Sequence, residues 1–148
     1  MTDHPIRPFD SDEAVRHVGL GLLDRSLPKA EWTHEAHLAT CLWLVLERPD
    51  VVPERDLPAL ISGYNVAVGG ENTDSAGYHE TLTQLYVKAV RAFAATLPAG
   101  IALVKAVNAL LASEIAPRDW PFCFYSRERL FSVDARRGWA EPDLAPVG

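Results

Sequence analysis

The sequence predicts an all-α fold, a single-domain bundle of about five main helices with a C-terminal wrap of short helices. Three observations lead there. Five segments repeat apolar residues every three or four positions, the spacing of one helix face. Prolines and glycines mark the ends of those segments. Nowhere does the chain show a persuasive two-residue alternation, a repeat of solenoid length or a low-complexity tract. Residues 1–148 are therefore read as one domain, with irregular termini at 1–10 and 141–148.

The first helix is expected from about Ser11 to Leu27, with Asp12 and Glu13 at its positive end and Pro28 closing it. Val15, Val18, Gly19 and Leu22 form its packing stripe. The second is the apolar run beginning at His34, capped by Thr33 and ended before Pro49. In the third, LPALISGYNVAVGG, Pro58 suits a first turn and Gly69-Gly70 a stop. The fourth, YHETLTQLYVKAVRAFAATLP, keeps Tyr78, Leu82, Leu85, Tyr86, Ala89 and Phe93 in helical period, with Asp74 and Ser75 as candidate caps before it. The fifth, GIALVKAVNALLASEIAP, is rich in strong helix formers and runs out before Pro117. Beyond it, Ser126 and Ser132 are each placed to cap a short helical turn.

Composition narrows the class of function. A chain of 148 residues can bury ~70% of its unfolded surface without staples. Fourteen Lys and Arg against 20 Asp and Glu give a net charge of -6, which argues against nucleic acid as a general partner. No apolar run reaches the ~20 residues of a membrane span. Two cysteines are too few for a disulfide framework, and the polar start MTDHPIRPFD lacks a signal-peptide core, so a cytoplasmic protein is expected, with Cys41 a reduced core thiol.

Chemistry concentrates at two helix starts. In WTHEAHL, the Thr33 cap puts Glu35 at the helix's positive end, and stepping back from Leu38, Cys41 and Leu42 puts His34 and His37 on the core-facing side. Trp32 can lean across to His37 as a staple. A helix N-terminus disfavours imidazolium, so both histidines are biased to the neutral form that ligates metals or accepts hydrogen bonds. In YHET, His79 shares a line with Leu82, Tyr86 and Val90 and can face a neighbouring helix, while Glu80 lies with Gln84, Val87 and Arg91. If the two helix starts meet, His34, His37 and His79 make a three-nitrogen set of the kind that binds catalytic zinc.

Established templates do not fit. HEAH is one residue short of H-E-x-x-H, and the single E-x-x-H at Glu31 and His34 precedes the helix. There is no phosphate-cradling glycine loop, hence no nucleotide-cofactor motif, and no nucleophile elbow or Cys-x-x-Cys. The stretches WTHEAHL, GYHET and YSRERLFSVDARRGWAEPDL together resemble an uncharacterised family of small bacterial proteins that carry an aromatic-Thr/Asn-His-x-x-His motif and a Tyr-His-Glu-Thr motif. The resemblance implies that His34, His37, His79 and Glu80 belong together, with Tyr125 and Arg127 as further members.

The reading drawn from these residues is a divalent metal, zinc or iron, on His34, His37 and His79, completed by water or Glu80. In an enzyme, Glu80 would move a proton and Arg127 would hold a negative group of a small substrate. The rival readings are a metal-free pocket for a small ligand and a structural module, homo-oligomeric or not. Surface roles are expected for His4 and His17, turn or edge roles for Asn65 and Asn72, and structural bonding for Asn108.

Overall fold

Ser11 opens the first helix, α1 (Asp12–Leu23), by accepting a hydrogen bond from the Ala14 N–H, and Thr33 opens α2 (His34–Glu47) by the same contact to Ala36. The remaining long helices are α3 (Pro53–Ala67), α4 (Glu80–Ala94) and α5 (Leu103–Leu111), followed by the short α6 (Arg127–Leu130) and α7 (Val133–Arg137). This computed structural model describes residues 5–148, and among them there is no strand. An all-α bundle is therefore the architecture. His4 lies outside the described residues. No helix among the described residues is long and apolar enough to cross a membrane.

α2 is the centre of the bundle. Its residues from Glu35 to Leu44, His37 excepted, are buried around the whole circumference because α1, α4, α5 and α3 each pack against it. The approach of α1 is close enough to require glycine. A Cβ on Gly19 would lie 2.3 Å from Cε3 of Trp43, whose indole is itself buried. Around this pair Val15, Leu22, Leu42, Val90, Val107 and Leu110 form the main core, all excluded from solvent. A second apolar cluster, Leu85, Tyr125 and Leu130, seals α4 against the C-terminal wrap. Tyr125 is fully buried, and its hydroxyl donates to the Ala140 carbonyl at 2.6 Å.

Several boundaries differ from the sequence reading. α1 stops at Leu23, because Arg25 takes a left-handed conformation (φ 63°) and the chain turns before Pro28. α3 begins at Pro53, so Pro58 is its sixth residue, past the first turn, and the Glu54 carbonyl it cannot bond accepts from the Gln84 amide instead. α5 is shorter than its apolar run and ends at Leu111. Ser126 and Ser132 cap α6 and α7, accepting from the Arg129 and Ala135 N–H groups. Asn108 brackets the Phe9 peptide with its amide, at 2.9 and 3.0 Å, which ties the segment before α1 to α5.

Candidate functional site

The N-termini of α2 and α4, α3 from Leu57 onward, the loop from Gly70 to Tyr78 and the C-terminal wrap surround a cavity of about 700 Å³. Leu38, Cys41, Leu57, Ile61, Leu82 and Val87 line it from the helices, and Trp32, Tyr78, Tyr86, Phe122 and Phe131 add aromatic walls. His34, His37 and His79 all border it. Lys29, Glu71 and Arg118 supply its charged groups. The loop wall depends on Gly77, at φ 86°, where a Cβ would fall 2.2 Å from the Glu71 carbonyl oxygen. Asn72 locks the same loop by accepting from the Tyr78 N–H and donating to the Ser62 carbonyl.

Carbonyl oxygens only accept hydrogen bonds, so the partners of the imidazoles fix their tautomers. The His34 Nε2 stands 2.7 Å from the Ala116 oxygen and must carry the proton, leaving Nδ1 as an acceptor. The His37 Nδ1–H donates to the Thr33 carbonyl at 2.7 Å and leaves Nε2 as the acceptor. Trp32 covers one face of His37 with ring centroids 3.9 Å apart, the staple the sequence predicts. His79 is different. Its Nε2–H donates to Leu130 O at 2.7 Å while its Nδ1 accepts from Leu82 N at 3.1 Å, so both nitrogens are engaged. It is the N-cap of α4 itself, in place of the caps expected at Asp74 and Ser75.

Desolvation holds all three imidazoles below their ordinary pKa, against the opposing pull of their backbone carbonyl partners. His37 is exposed and borders the solvent-accessible cavity, so desolvation holds its pKa down only in part. Burial also pushes the Cys41 thiol up to about 12, making it an inert wall of the cavity.

The candidate acid and cation of the sequence reading stand elsewhere. Glu80 accepts a short hydrogen bond, 2.5 Å, from the Tyr78 hydroxyl and another from the Gln84 amide, and it is not among the residues lining the cavity. Both contacts hold its carboxylate against Tyr78 and Gln84. Arg127 is exposed and lies over the rings of Phe122 and Phe131, 5.0 and 5.5 Å from their centroids. It braces two aromatic walls and is not part of the lining. Tyr125, grouped with the histidines by resemblance, belongs to the second core cluster.

Among the described residues, no three His, Cys, Asp or Glu side chains are arranged to hold one metal ion. Within the proposed triad His79 is the member already committed, since its lone pair serves the first turn of α4. His34 and His37 each keep one ring nitrogen as an acceptor. The sequence reading missed Arg118 and the burial of Glu35. Arg118 lies 3.6 Å from the Glu35 carboxylate, which also accepts from the Arg7 N–H. Burial opposes ionisation of Glu35, but that N–H and the Arg118 charge outweigh it and hold its carboxyl below the usual range. His17 is exposed and paired with Glu31, and Asn65 donates to Asn72, as surface and edge roles require.

Compared with known protein families, with curated proteins and with solved structures, the chain matches none.

Proposed function

We propose that the protein binds a small, largely apolar molecule in the cavity between α2, α3 and α4, with His34 and His37 as its polar anchors. The observation that carries this is the chamber itself. Its volume of about 700 Å³ lies within the roughly 300–1,000 Å³ of ligand sites, and its walls join many apolar side chains to a few polar groups. The test is a plugged cavity. Ile61→Trp adds an indole to the lining and should abolish the melting-temperature gain that a hydrophobic probe such as 2-naphthol gives the wild type, while His17→Ala should retain it. An undiminished gain in Ile61→Trp would remove the cavity from the account.

A divalent metal, zinc or iron, is the second reading, favoured by the two acceptor nitrogens three residues apart on α2. Two imidazoles would then leave the other coordination positions to water or to the bound molecule, one protein ligand fewer than catalytic zinc ordinarily has. Elemental analysis of untagged protein tests it. Metal that copurifies with the wild type should be lost in His34→Ala and His37→Ala and kept in His17→Ala. Equal metal content in all of these proteins would set this reading aside.

A further inference from the structure

The three proton positions fixed by backbone carbonyls say which end of a guest the cavity accepts. Ala116 O takes the His34 Nε2–H and Thr33 O takes the His37 Nδ1–H, so both rings offer a lone pair and no donor. An anionic head group would set its own lone pairs against these two. Protonating the rings to receive an anion is opposed by their desolvation and, at His34, by the nearby Arg118 charge. Arg118 does not turn the site into a carboxylate clamp, because Glu35 already stands 3.6 Å from it. Around the two nitrogens the walls are aromatic: Trp32 stacks on His37, and Tyr86 meets His34 edge-on at 6.2 Å. Such walls favour offset or edge contacts with a flat ring.

Resting on the cavity reading above, we infer that the guest is a neutral aromatic molecule with a hydrogen-bond-donating head group, a hydroxyl or an amine, whose first proton goes to His37 Nε2 and a second, where the group has one, to His34 Nδ1. A molecule of equal shape that lacks the donor leaves these nitrogens without a partner and is discriminated against. A guest that covers these nitrogens without donating to one of them forfeits about one hydrogen bond, so the preference should be about tenfold.

Three probes of the same ring system separate the alternatives: 2-naphthol, its methyl ether 2-methoxynaphthalene, and 2-naphthoate, each titrated calorimetrically into the full chain at pH 7.5 with a strong chelator present. The inference expects 2-naphthol to bind about tenfold tighter than the ether, although the ether is the more apolar, with naphthoate weakest. In His37→Leu the naphthol preference should fall towards unity while the affinity for the ether stays within about twofold, since that contact is apolar. The wild-type comparison decides the matter even where the variant does not fold. Equal binding of naphthol and ether, or tightest binding of naphthoate, would overturn the donor requirement and leave the cavity reading intact. Binding of none of the three would overturn both.

Discussion

Replacing His79 by alanine removes two contacts at once. The Nδ1 cap on Leu82 N is worth about 1 kcal/mol by analogy with other N-caps, and the buried Leu130 carbonyl loses its donor at a further cost of about 1–3 kcal/mol. His79→Ala should therefore destabilise the fold by roughly 2–4 kcal/mol. His79→Asn restores a good cap without reaching Leu130, and should recover about 1 kcal/mol of that. Urea denaturation at pH 7.5, with the slope unchanged between variants, measures both. Repeating it in a strong chelator distinguishes a cap from a metal ligand, because a cap has nothing to lose to the chelator. The reasoning is refuted if His79→Ala stays within about 0.5 kcal/mol of wild type. It is refuted equally if the difference disappears in chelator.

Three further outcomes follow from the packing and the desolvated histidines. His34, His37 and His79 have folded pKa values below the unfolded ~6.5, so below that pH the unfolded chain binds more protons. Stability should then be full above ~6.5 and decline as pH falls through the depressed values, seen as a melting temperature lower at pH 5.5 than at 7.5; a flat profile across that range would contradict it. Gly19→Ala drives a methyl into the Trp43 indole and should cost about 1–3 kcal/mol in a thermal or urea melt, whereas an unaltered midpoint would mean that the α1–α2 approach is looser than described. Cys123 is exposed and Cys41 is a buried thiol pushed up to about 12, so iodoacetamide should label Cys123 first in the native protein, and equal rates would show that Cys41 is open.

Much of the bundle was legible because the information was local. Thr33, Ser126 and Ser132 cap the helices they precede, and the Trp32–His37 staple needs only positions five residues apart. The line that joins His79 to Leu82 and Tyr86 led to the cavity, since all three border it. What periodicity could not supply was the partner of each polar atom. His79 looked like a first-turn ligand because nothing local reveals that Leu130, 51 residues away, takes its Nε2–H. Glu80 and Arg127 carry suitable chemistry, but Tyr78 and two phenylalanine faces hold them away from the lining. Arg118 was overlooked because it lies in an irregular segment whose place beside Glu35 depends on the whole chain.

The most direct test of the account is the histidine ring itself, read by long-range proton–nitrogen NMR at pH 7.5 before and after addition of 2-naphthol. The account predicts neutral rings with the proton on Nε2 in His34 and His79 and on Nδ1 in His37, and on titration a shift concentrated at His37 Nε2, the acceptor of the naphthol proton, while the two His79 nitrogens stay still. A proton on His34 Nδ1, or a titration that moves His79 and leaves His34 and His37 unchanged, would contradict it.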